Sequence, residues 1–260
     1  MQYGLYLAAS GMLTGMHRMD VFANNLANTE TVGFKIDNPM QRQRLTATQE
    51  RGNPSLPSSK LLEQLGGGVL MARNRVSFSQ GSLQKTEQPL DVALDGEGFL
   101  VVRDGSGSGA DSLRFTRDGR LGLDSSGRLV QTASGRPVLD TQDRPITLAS
   151  GVPVVIDADG SIKQDGEVVG KLQMATIDDI SSLRKRGDNM FAADAQTMGR
   201  KKAAAGATLT QGFIERSGAD PVRAMMAFNN AERGVSGNAR MISNYDEILN
   251  RTINTFGKLG

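Results

Sequence analysis

The chain has 260 residues, a formal net charge of +2, no Cys, no Trp and one His. That length can bury a sizeable core in one or two domains, and the near balance of charge argues against nucleic acid or an anionic membrane as partner despite a sequence pI near 9.0. The absence of Cys excludes disulfides and thiolate chemistry, and no apolar run reaches the roughly 18 residues that predict a membrane span.

Residues 3–28 predict a helix about 39 Å long at 1.5 Å per residue. Its apolar or small side chains at Leu5, Ala9, Met12, Met16, Met19, Ala23 and Leu26 alternate steps of four and three, the seam of a coiled coil. Gly4, Gly11 and Gly15 each weaken such a helix by about 1 kcal/mol against Ala, so packing is expected to order it. No Lys or Arg precedes the apolar stretch, and Ser10, Gly11, Thr14 and Gly15 break it, so it does not read as an ordinary cleaved secretory signal. His17, between Met16 and Arg18, reads as a polar face residue.

Beyond the helix, Asn28 and Gly33 suit the turn or left-handed backbone that ends it, with Phe34 planting a ring where helix gives way to arm. Asn24, Asn25 and Asn28 read either as polar decoration of a helix end or as recognition residues. Residues 36–80 are polar and irregular; Pro39, Pro54, Pro57 and Gly66-Gly67-Gly68 predict an extended arm with hinges, carrying one strand from Val69 toward Phe78. The three glycines lack the Lys-Ser/Thr and following helix of a phosphate cradle.

Residues 81–206 read as β. Leu90 to Leu94 alternates and Phe99 to Val102 continues as a strand; Asp-Gly pairs at 118–119, 159–160 and 165–166 are hairpin-turn dipeptides. Short strands with frequent turns predict a sandwich or barrel. In the last 40 residues Phe228, Val235, Ile242, Leu249 and Phe256 fall one heptad apart, with Met225, Ala239 and Ile253 in a complementary column that Glu232 and Asp246 interrupt. Neither terminal helix can cover its own stripe. The fold expected is α+β: a coiled-coil stem of residues 1–35 with 207–260, an arm over 36–80, and an inserted all-β domain over 81–206.

Chemistry finds little purchase. Asp157-x-Asp159-Gly160 begins like a calcium loop, but Ile162 stands where Gly is needed and no Glu follows at the twelfth position. Asp91, Asp95 and Glu97 read as turn and cap residues in preference to a glycosidase pair. No catalytic, cofactor-binding or metal-binding set is expected, and the chain does not read as an enzyme.

Ala23-Asn24-Asn25-Leu26-Ala27-Asn28, followed by Thr31-Val32-Gly33-Phe34-Lys35, resembles the N-terminal signature of bacterial flagellar rod and hook proteins. Residues 88–99, Phe115-Thr116-Arg117-Asp118-Gly119, residues 135–139 and residues 209–217 are similar to further signatures of that family, so the resemblance spans nearly the whole chain. It implies a structural subunit of the basal-body rod, whose helical stems pack beside copies of themselves and adjacent axial proteins into a hollow, torque-transmitting shaft with the β body outside. It also implies export through the flagellar type III apparatus and a place in the rod crossing the periplasm. The expected assembly residues are Leu5, Met12, Met19, Asn24, Asn25, Leu26, Asn28, Gly33, Phe34, Phe228, Val235, Ile242, Leu249 and Phe256. Proximal and distal rod remain open; 260 residues leave little room for the outer domains of a hook protein. The rival from another class is a wall-acting enzyme or carbohydrate-binding β domain, which the sparse aromatics and absent Trp disfavour.

Overall fold

The computed structural model describes residues 2–45, 66–105, 112–198, 201–204 and 206–256. The chain folds as two compact units, one of Met1–Ala27, Asp37–Ser77 and Asp220–Gly260, the other of Asn28–Ile36 and Phe78–Ala219. The architecture is α+β, with a long helix at each end and many short strands. Its boundaries differ from those expected at 35/36, 80/81 and 206/207. The segment after the first helix goes with the strands because Phe34 and Lys35 are buried there, at 5% and 1% exposure. Residues 208–215 go with them because Thr208–Gln211 pairs with Val92–Asp95 and Phe213–Glu215 with Leu83–Lys85.

In the first unit, α1 (Gln2–Ala27) and α2 (Pro221–Phe256) run antiparallel. A Cβ at Gly11 would lie 2.9 Å from Asn238 Nδ2 and one at Gly15 2.8 Å from Val235 Cγ2, while Gly4 abuts the Tyr245 hydroxyl. Ala8, buried between these positions, completes a line of small residues that lets the helices approach closely. The expected seam on α1 is therefore displaced by one residue, about 100° of helical rotation. Leu5, Met12, Met19 and Leu26 are half-buried beside this line, whereas Met16 and Ala23 are exposed. Hydropathy could not reveal this, because the closest contacts belong to glycines that it scores as gaps.

On α2 the column Phe228, Val235, Ile242, Leu249 is half-buried as expected, and the Phe256 side chain lies outside the described residues. The complementary column is Ala224, Ala231, Asn238, Tyr245 and Thr252, buried or half-buried. Met225 and Ile253, expected to supply it, are 58% and 67% exposed. Within this column Asn238 and Tyr245 meet Gly11 and Gly4 of α1.

The arm expectation also changes. Asp37–Gln43 and Val69–Val76 form an antiparallel hairpin, from Asp37 opposite Val76 to Gln43 opposite Val69, with a bulge between Asn38 and Met40. Pro39, which cannot donate to a ladder, falls within that bulge. Polar contacts tie the hairpin to α1. Val69 N donates to Ser10 Oγ at 3.4 Å, His17 Nε2 and Asn74 Oδ1 lie 2.9 Å apart, and Asn25 exchanges hydrogen bonds with the Asp37 backbone at 2.8 and 3.0 Å. Pro54, Pro57 and the rest of the expected arm lie in residues 46–65, outside the described residues.

The second unit is built on an antiparallel six-stranded sheet, in the order Arg184–Lys185, Met190–Ala192, Leu113–Thr116, Phe99–Arg103, Met174–Ile177, Lys201–Ala203. Two three-stranded sheets join it: Leu121–Leu123, Leu129–Gln131, Arg136–Pro137, and Val154–Ile156, Ser161–Gln164, Glu167–Lys171. Leu100, Val102, Leu129, Val138, Ile162 and Leu172 form its aliphatic centre, each at most 1% exposed. Phe78, Phe99, Phe115 and Phe191 meet at centroid distances of 5.1–6.2 Å, mostly edge to face.

Asp165-Gly166 is the expected hairpin turn, with positive φ at both residues. Asp118-Gly119 is not. The strands on either side of it enter different sheets, and Gly119 lies so tight against the Val92 carbonyl that a Cβ has no space. Asp118 instead pairs with Arg120, 2.7 Å from Oδ2 to Nη2.

Candidate assembly surface

The structure divides the expected assembly residues into three groups. Leu5, Met12, Met19, Leu26, Phe228, Val235, Ile242 and Leu249 lie half-buried on the two helices. Asn24 is exposed and Asn28 is half-buried in the turn after α1, its Oδ1 accepting from Thr31 Oγ1 at 3.0 Å. Asn25, Gly33 and Phe34 are buried inside their own units, so none presents a surface to another molecule. Asn25 is 3% exposed, and its amide supplies the Asp37 backbone with a strand-like partner.

Gly33 takes the positive φ expected of it, +69°, but for a tighter reason than ending a helix. Its N–H donates to Glu215 O at 2.8 Å, and a Cβ would sit 2.6 Å from the Arg117 carbonyl carbon. Phe34 follows, its ring under Lys185 Nζ at 4.1 Å from the centroid and its carbonyl accepting from Gly218 N at 3.0 Å. The segments 32–36 and 213–218 thus lie against each other.

At their centre lies a buried ion cluster that sequence reasoning missed. Lys35 Nζ donates to Glu215 Oε1 at 2.6 Å and to Ser79 O at 2.8 Å. Gly81 N donates to the same Oε1 at 2.7 Å, and Arg117 Nη1 lies 3.3 Å from Oε2. Arg117 also donates to Gly96 O at 2.7 Å and stacks its guanidinium 5.4 Å from the Phe99 centroid. Burial pushes Lys35 and Arg117 below their ordinary pKa, against the opposing pull of Glu215. Two cations around one carboxylate are tolerated out of water only because carbonyls and a ring share the charge. The signal for this cluster was present: Lys35, Arg117 and Glu215 are charged residues of three separate signatures, residues 31–35, 115–119 and 209–217.

Outside the helix contact, large apolar side chains stay in water. Tyr6, Leu13 and Met16 on α1 are 69%, 60% and 42% exposed; Met226, Met241 and Ile248 on α2 are 61%, 53% and 52% exposed. Patches of this kind on a folded chain mark interaction surfaces.

Asp91 is buried with its carbonyl accepting from Gly212 N, and Asp95 Oδ1 accepts from Gln80 Nε2 at 3.0 Å. The Asp157–Gly160 turn holds Asp157 on Lys163 at 2.6 Å and Asp159 on Lys171 at 2.8 Å. Among the described residues, no group of three or more His, Asp or Glu is placed to hold a metal ion, and no helix is long and apolar enough to cross a membrane.

Comparison with known proteins agrees with this architecture. Residues 5–35 match the family described as flagella basal body rod protein, residues 93–170 the flagellar hook protein FlgE/F/G D1 domain, and residues 210–255 the flagellar basal body rod FlgEFG protein C-terminal. The chain is 32% identical over 259 residues to the flagellar basal-body rod protein FlgF of Caulobacter vibrioides, covering 100% of both. It is 31% identical to FlgG of the same organism, covering 95% of this chain and 97% of that one. It is 28% identical to FlgG of Bacillus subtilis, covering 96% and 97%. The chain belongs to the family of bacterial flagellar basal-body rod proteins, and its part in the flagellum is structural.

Proposed function

We propose that this chain polymerises through α1 and α2 into a hollow shaft that transmits torque, a coiled-coil stem in each subunit packing beside copies of itself and adjacent axial proteins. One observation carries the reading: the α1–α2 contact seats Val235, Asn238 and Tyr245 on the glycines of α1 and leaves other large apolar side chains, Leu13, Met16, Met225, Met241, Ile248 and Ile253, in water. A helix pair meant to stand alone would turn those inward. A head-to-tail contact that does not close yields the helical filament a shaft requires. The subunit reaches the rod uncleaved through the flagellar export apparatus, and the weak intrinsic propensity of a helix carrying three glycines suits passage before packing orders it.

The test is a strain lacking this chain, complemented with a form tagged in an exposed turn of the strand unit. Tagged protein in the rod of purified basal bodies, recovered at its full encoded mass, is the expected result. Complete rods and normal swimming without the chain would overturn the proposal.

A further inference from the structure

The outward face of the strand hairpin and one flank of α2 carry opposite charges left unused within the described chain. Along Val69–Val76, alternation turns Leu70, Ala72 and Asn74 inward and leaves Met71, Arg73 and Arg75 exposed. Among the described residues, neither arginine has a carboxylate within ion-pair distance. Down α2, the column Met225, Glu232, Ala239, Asp246, Ile253 lies beside the α1-facing columns, exposed everywhere except at Ala239. Glu232 has no ionic partner among the described residues, and Asp246 accepts only a 3.4 Å hydrogen bond from Asn250. These are the two acids that interrupt an otherwise apolar heptad column, and packing among the described residues gives no account of them.

The spacings match. Met225 to Glu232, and Asp246 to Ile253, are each seven residues, about 10.5 Å along a helix. Met71 lies about 7 Å from Arg73 and about 13 Å from Arg75 along a strand. A thioether and a guanidinium on the strand can therefore rest on an apolar side chain and a carboxylate of the column. Arginine suits this use, since its planar fork accepts a carboxylate on two donors, and Met and Arg are enriched where protein surfaces meet. Both surfaces face outward in one chain, so a second chain must bring them together.

We infer that the Met71–Arg73–Arg75 face of one copy docks on the Glu232/Asp246 flank of α2 in a second copy. The inference rests on the reading of the chain as a self-assembling subunit and deepens it. The two patches differ, so the contact is head-to-tail and propagates, and the charges fix its register.

Because the chain contains no Cys, paired cysteines report on this contact without background. Strains whose only copy carries R73C with E232C, or R73C with D246C, are oxidised mildly, and their basal bodies are analysed on non-reducing gels. The expected product is a ladder of this chain alone, identified by mass spectrometry, from at least one pair and from no single variant. In parallel, R73E/R75E cuts complete rods per cell by at least about tenfold, since like charges across an interface repel, and adding E232R/D246R restores them to within about threefold. Wild-type chain present in basal bodies, with neither pair cross-linking and rod number unchanged by R73E/R75E, overturns this contact and leaves the rod reading standing. A cross-link to a different protein also overturns it, because the occupant is then not a second copy. Wild-type chain absent from basal bodies overturns the rod reading itself.

Discussion

Lys35 Nζ lies 2.6 Å from Glu215 Oε1, each side chain 1% exposed, across 180 residues of sequence. The pair closes one edge of the strand unit onto the other, holding the segment after α1 against the segment before α2. Breaking such a pair from one side leaves a charge buried without its counter-ion, which costs far more than the intact pair contributes.

The first expectation follows from that asymmetry. Glu215→Gln strands two cations and destabilises the strand unit by about 3–5 kcal/mol. Lys35→Met in the same chain recovers part of the loss, because Arg117 keeps its carbonyl partners. Denaturant unfolding of the single and double variants measures this, and a double variant as unstable as the sum of the singles would argue against coupling.

Gly33→Val and Phe34→Ala act on the fold of the strand unit, and only through it on assembly. At Gly33 the positive φ combines with a Cβ position 2.6 Å from the Arg117 backbone, and Val meets both obstacles. Loss of the Phe34 ring opens a cavity and is expected to cost about 3–5 kcal/mol. Melting curves of the purified variants read this directly; wild-type stability together with short rods would return both residues to an assembly role.

On the helices, Ile242→Asp is expected to abolish rods and swimming while the strand unit melts as in wild type. Ile242 is half-buried in the α1-facing column, where an unpaired carboxylate loses several kcal/mol of hydration. Gly15→Leu reaches the same end from the other helix, driving a side chain into Val235. Swimming halos alongside a thermal melt of each variant distinguish assembly loss from general unfolding.

A fourth expectation concerns acid. Asp124 Oδ1 accepts from the backbone N–H of Arg128 and of Ser126, both at 2.8 Å, and the Arg128 side chain caps Oδ2 at 2.7 Å. The Arg128 N–H is the largest of the influences holding this carboxyl below its usual 3.8. A depressed folded-state value means the unfolded chain binds the proton first. The stability contributed is present above about pH 4 and lost as pH falls through the folded value. The melting temperature of Asp124→Asn should therefore fall less steeply below pH 4 than that of the wild type, and parallel curves would show that this turn does not contribute.

Much of the architecture was legible because it rests on local rules. Period-3.5 apolar columns announced both helices, with Phe228, Val235, Ile242 and Leu249 half-buried, and an apolar run following turn residues announced the strand Phe99–Arg103. The signatures around Asn24 and Gly33 marked the family.

What only the tertiary structure decided was which surfaces are internal. Gly4, Gly11 and Gly15 count against a helix by propensity, yet they are where α2 comes closest, because a missing Cβ matters only when a second helix is present to use the space. Asn25, Gly33 and Phe34 stood out as assembly residues for their type, but burial, which depends on elements far along the chain, makes them internal. Lys35, Arg117 and Glu215 lie in three separate signatures, and none of those signatures by itself marks its charge as buried. Their meeting requires three distant segments to converge, and the low dielectric that makes the cluster consequential exists only once those segments have excluded water.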